Sequence, residues 1–75
     1  MNENGAAFQA YEIRISGELH RRWRNWFEGF VITPGTAGET VLRGRVRDQA
    51  ALHGVLAQIR DLNLTLIAVE CVESP

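Results

Sequence analysis

Lysine is absent: all eight basic residues are arginine, set against nine acidic ones for a net charge of −1. That balance leaves no global field to attract a polyanion, so nucleic-acid binding would have to rest on a local patch. Cysteine occurs once, at Cys71. A lone cysteine excludes an intrachain disulfide and a cysteine-built zinc site, and within its apolar run Cys71 is expected to be a small core residue. No segment approaches the ~20 apolar residues that span a bilayer, and residues 1–10 lack the basic start and apolar body of a signal peptide. A cytoplasmic protein without membrane association is the expectation. What remains is ordinary: 75 residues, 45% apolar and 23% charged, the balance of one small soluble domain. Residues 1–75 are read as a single domain, with a polar tail over 1–6 and a folded body over 7–75.

The apolar spacing changes period along the chain. Tyr11, Ile13 and Ile15 alternate with Glu12, Arg14 and Ser16, the period of two that marks a half-buried strand. Leu19, Trp23, Trp26, Phe27 and Phe30 then follow helical spacing, with Ser16 as N-cap, Gly29 as the stop, and both tryptophans turned with Leu19 into the core. Residues 30–33 read as a second strand, Pro34, Gly35 and Gly38 as a hairpin loop, and residues 40–46 as a third strand. Leu42, Gly44 and Val46 are assigned to its helix-facing side, Gly44 where a helix packs close. Asp48 caps a second helix carrying Leu52, Val55, Leu56, Ile59 and Leu62, Asn63 takes the left-handed conformation that ends it, and residues 64–72 form a last strand. The order βαββαβ predicts an α+β, ferredoxin-like sandwich: a four-stranded antiparallel sheet, first and third strands central, with two helices on one face.

In that arrangement the uncovered face carries Glu12 and Arg14 beside Val41, Arg43 and Arg45. Arg14, Arg43 and Arg45 are the candidate binding residues, for a carboxylate, a phosphate or an acidic partner segment. The competing reading is cross-strand ion pairing with Glu12. The last strand is apolar on both sides, with Leu64, Leu66 and Ala68 against Thr65, Ile67, Val69 and Cys71, and such an edge calls for a second cover. A second copy of the chain, meeting it through that strand or through the open sheet face, makes a homodimer; the alternative is that residues 6–10, with Phe8, fold over it.

The chemical motifs are thin. His20 and His53 lack a second ligand at helical metal-pair spacing and read as surface histidines. Ser16 and Cys71 have no nucleophile motif around them, and Gly35-Thr36-Ala37-Gly38 lacks the lysine and following helix of a phosphate loop. The run from His20 to Trp26 interleaves arginines with tryptophans, yet helical spacing sends the two kinds to opposite sides, and the open sheet face has no aromatic residues for RNA stacking. No catalytic residue, metal ligand or cofactor is assigned.

The block Asp48-Gln49-Ala50-Ala51-Leu52-His53-Gly54-Val55-Leu56, continued by Ile59-Arg60-Asp61-Leu62, and the opening Tyr11-Glu12-Ile13-Arg14-Ile15 with Gly17 and Leu19, resemble a group of short stand-alone bacterial hypothetical proteins. Asn63 stands where that group has glycine, and the tryptophan-rich segment is its more variable part. The resemblance brings no function and no site residue. The expectation is therefore a non-catalytic homodimeric interaction or small-ligand sensing module. Two alternatives stand beside it: a small dimeric α+β-barrel enzyme with an apolar cavity, and weak nucleic-acid binding through Arg21, Arg22 and Arg24.

Overall fold

A computed structural model of the chain describes residues 8–72; the expected tail over residues 1–6, and residue 7, lie outside them. Four strands, β1 (Gln9–Ile15), β2 (Phe30–Pro34), β3 (Thr40–Val46) and β4 (Leu66–Val72), form one antiparallel sheet in the order β2-β3-β1-β4. β1 and β3 are central and the other two are edges, as the strand pattern predicts. A single α-helix, α1 (Gln49–Asp61), packs on one face. Asp48 caps it by accepting the Ala51 N–H at 2.8 Å, and Asn63, at a φ of 61°, turns the chain out of it.

The two-helix ferredoxin-like sandwich does not form. Where the first helix is expected, the chain makes an irregular stretch followed by a 3₁₀ segment, Arg21–Phe27. β2 runs parallel to β1, so the crossover must travel back along the length of the sheet. Seven residues of strand extend roughly 23 Å, and a 3₁₀ turn advances about 2.0 Å per residue against about 1.5 Å for an α-helix. The tighter coil therefore covers more of the return path with the same residues. Gly17, at a φ of 85°, bends the chain before it and Gly29, at 87°, after it. Ser16 does not act as a cap: His20 does, its Nδ1 accepting the Arg22 N–H at 3.1 Å.

The 3₁₀ geometry also corrects the expected core. Residues three apart eclipse in such a coil, and the rings of Trp23 and Trp26 meet edge to face with centroids 5.1 Å apart. Trp23 rests half-buried against the core, while Trp26 stays 46% exposed. Leu19 and Phe27 supply the buried contacts of the crossover instead. They join Ile13 and Ile15 of β1, Leu42 and Val46 of β3, and Leu52 and Ile59 of α1 in one core. Each such aliphatic side chain contributes about 1.5–3 kcal/mol on burial.

Two further expectations are revised. Gly44 faces inward, but what approaches it is the Phe30 ring of the neighbouring strand and the Gly29 carbonyl, not a helix. β4 does not alternate strictly from Leu64. Its pairing with β1 shifts between Arg14↔Ala68 and Ile15↔Leu66, so Ile67 is the extra residue of a bulge and the facing parity flips across it. Leu64 and Val69 both pack against the core, while Leu66 and Ile67 stay 45% and 44% exposed. Cys71 is exposed as well, its Sγ directed at Gln9 Oε1, so it is no core residue. Phe8 stands exposed beside the Arg47 guanidinium, Gln9 and Ala10 belong to β1 and do not fold over β4, and residues 6 and 7 of the expected fold-back lie outside the described residues.

Candidate functional site

Strand register sets the open face as a grid. Val31, Arg43, Glu12 and Glu70 form one row across β2, β3, β1 and β4; Thr33, Val41, Arg14 and Ala68 form the next. Arg45, Ala10 and Val72 lie on the other side of the first row. All three sequence-predicted arginines thus share this face. They do not converge.

Glu12 occupies the centre. Its Oε1 accepts from Arg43 Nη2 at 3.1 Å across the strand pair, and its Oε2 accepts from Arg14 Nη2 at 3.3 Å. Arg14 Nε also lies 3.8 Å from the Glu39 carboxylate at the start of β3. Cross-strand pairing, the competing reading, is therefore what Arg14 and Arg43 do. These pairs are open to water, and each contributes at most about 1 kcal/mol. Arg45, opposite Ala10, has no carboxylate within ion-pair distance among the described residues. A shallow concavity of about 330 Å³ lies beside the cluster, lined by Glu12, Val31, Thr33, Val41 and Arg43.

Sequence reasoning missed two acidic members of this surface. Glu70 faces Glu12 directly, like charge against like. Glu39 reaches Arg14 because the β2–β3 hairpin turns back beside the end of β1; pairing Ile15 with Thr40 puts residue 39 just beyond, a signal available once that register is assumed.

A second, larger groove of about 620 Å³ opens at one end of the sheet, between the 3₁₀ segment and the β2–β3 hairpin. Arg21, Arg24 and His20 line one wall; Thr33, Pro34 and Glu39 line the other. The buried Thr40 hydroxyl donates to the Gly17 carbonyl at 2.6 Å and ties the two walls at their base. The hairpin loop is closed by Gly35 N–H to the Glu39 carbonyl at 2.7 Å and Glu39 N–H to the Thr36 carbonyl at 3.0 Å. Neither groove is lined by any residue of α1. Among the described residues no three His, Cys, Asp or Glu side chains gather into a cation site, and no helix is long and apolar enough to cross a membrane.

The chain belongs to the family described as Domain of unknown function (DUF8691), which matches residues 10–70. In this DUF8691 chain the match runs through all four strands, α1, both walls of the groove and the three arginines of the open face. It agrees with the expectation of a protein without assigned function and brings no named activity. No curated protein and no solved structure matches the chain.

Proposed function

We propose that this DUF8691 chain is a non-catalytic interaction module that works as a homodimer, joined along the free edge of β4. One observation carries the reading. β4 pairs only with β1 among the described residues, and its outer edge bears a seven-residue row with no proline and no basic residue, while Leu66 and Ile67 remain 45% and 44% exposed. An open strand edge is a template for another strand, and monomers guard such edges with proline, lysine or short length. The opposite edge has that protection: β2 is five residues long and ends at Pro34. The bulge at Ile67 twists only one end of β4 and leaves its pairing with β1 regular from Ala68 to Val72. A two-fold pairing of identical edges is self-complementary, and it aligns the open faces of both copies on one side of a continuous sheet.

Arg45, without a carboxylate partner among the described residues, is then the arginine of the open face available to an acidic partner segment or small anion. Arg14 and Arg43 serve that recognition only by exchanging Glu12 for the incoming group. The bacterial origin and cytoplasmic location that the resemblance and the composition imply belong to the same reading.

Light scattering on an eluting size-exclusion peak tests the assembly. A mass near twice the 8.4 kDa of one chain is the expected result. A mass of one chain at high micromolar concentration overturns the reading.

A further inference from the structure

We propose that the groove between the 3₁₀ segment and the β2–β3 hairpin is a binding site for a small organic oxyanion, a carboxylate or phosphate monoester that also carries hydroxyl or amino groups. The juxtaposition behind it is a pair of uncommitted guanidinium groups on one wall facing acceptor groups on the other.

Arg21 and Arg24 are three residues apart in a 3₁₀ coil, where side chains at that spacing eclipse. Both line the groove, and neither has a carboxylate within ion-pair distance among the described residues. Two guanidinium forks lining the same wall match the paired oxygens of a carboxylate or phosphate. His20 adds a donor. Its Nδ1 is taken by the Arg22 N–H, which puts the ring proton of the neutral imidazole on Nε2. The sequence pattern passed over these groups because, on an amphipathic α-helix, they belong to a solvated outer face. The 3₁₀ crossover instead brings Arg21 and Arg24 to the end of the sheet opposite the hairpin.

The remaining lining defines the rest of the ligand. Glu18 and Glu39 supply carboxylates, Thr33 a hydroxyl, and Leu19 and Pro34 an apolar surface for a short carbon skeleton. The two arginines of the lining are balanced by two glutamates, but Glu39 is turned partly toward Arg14, at 3.8 Å, and neither guanidinium has an ion-pair partner among the described residues, which leaves both open to an anion. A bare inorganic ion would leave those acceptors unused; a hydroxylated or amino-bearing anion engages both walls. About 620 Å³ lies within the range of small-molecule sites, roughly 300–1,000 Å³. The walls are held before any ligand arrives, by the Thr40 to Gly17 hydrogen bond and by the buried Phe27 at the end of the 3₁₀ segment. Preorganisation of this kind removes part of the ordering cost of binding.

The site does not depend on dimerisation through β4, and its test reads a different quantity. Backbone amide shifts of the full chain are followed by NMR during titration with citrate and, separately, with glycerol 3-phosphate at low salt. Saturable shifts confined to the 3₁₀ segment and residues 33–40 are expected with at least one probe; citrate alone identifies a carboxylate site, and glycerol 3-phosphate alone a phosphate site. The double variant Arg21→Gln/Arg24→Gln should weaken binding by about tenfold or more, since charge-assisted pairs are lost, while its unliganded spectrum stays folded. Arg60→Gln on α1, outside both grooves, should leave affinity unchanged. The proposal is overturned if neither probe saturates by about 10 mM, or if Arg60→Gln weakens binding as much as the groove variant. It is also overturned if a single-stranded oligonucleotide displaces the probes with a steep salt dependence, which would make these arginines a nucleic-acid contact.

Discussion

Gly44 illustrates how much a single position depends on its neighbours in this sheet. A Cβ there would lie 2.8 Å from the Phe30 ring and 2.9 Å from the Gly29 carbonyl oxygen, and the second of these is backbone that cannot swing aside. Gly44→Ala is therefore expected to cost about 1–3 kcal/mol through overpacking, read as a lower midpoint in urea denaturation. Adding Phe30→Ala to it should not restore the loss, because the carbonyl contact persists and a cavity is added. Glu70 offers the opposite case. It faces Glu12 across the β1–β4 pair, and like charges directly opposite each other destabilise a sheet. Glu70→Gln should raise stability by a few tenths of a kcal/mol, and the gain should shrink in high salt as the repulsion is screened. The charged residues of the open face were legible in the sequence: alternation alone set Glu12, Arg14, Arg43 and Arg45 on one side, where the register has them. Their partners were less so. Hydrophobic alternation says which face a side chain takes, whereas Glu39 and Glu70 meet the cluster through the hairpin return and the edge-strand register, and neither is written in a local pattern.

Among the elements, α1 was the most legible, because its cap, apolar stripe and left-handed stop all agree over Gln49–Asp61. Asp48→Ala removes the side-chain acceptor for Ala51 N–H and should destabilise the domain by about 1 kcal/mol, with Asp48→Asn retaining most of the stability. Chemical denaturation of the three proteins side by side distinguishes loss of the cap from loss of charge. The crossover was misread for a physical reason. Apolar residues at Leu19, Trp23, Trp26, Phe27 and Phe30 satisfy helical spacing, yet periodicity is blind to the distance that a connection must span between two parallel-running strands. That distance, together with glycines at both ends of the segment, favours the longer-pitched 3₁₀ coil, which exposes Trp26 and buries Phe27. β4 failed similarly at its start. One inserted residue at Ile67 changes which side chains face inward, and a bulge leaves no signature in a strand that is apolar at nearly every position.

At the scale of the molecule, the core comprises eight buried hydrophobic side chains drawn from three strand and helix elements and the crossover. A domain this small hides only about 60% of its unfolded surface, so burial gained by association weighs heavily on its stability. If two chains pair along β4, folding and assembly are linked, and the melting temperature must rise with protein concentration by mass action. A hundredfold increase in concentration is expected to raise the midpoint measurably in the wild-type chain. Ile67→Lys puts a charge on the exposed bulge of the proposed seam without removing any residue of the core. That variant should melt at the same temperature across the whole concentration range, near the value the wild type approaches on dilution, because only the associated state has been lost. A wild-type midpoint that stays constant over that range would leave β4 as a bare edge in a monomer. Leu66 and Ile67 would then owe their exposure to the bulge alone.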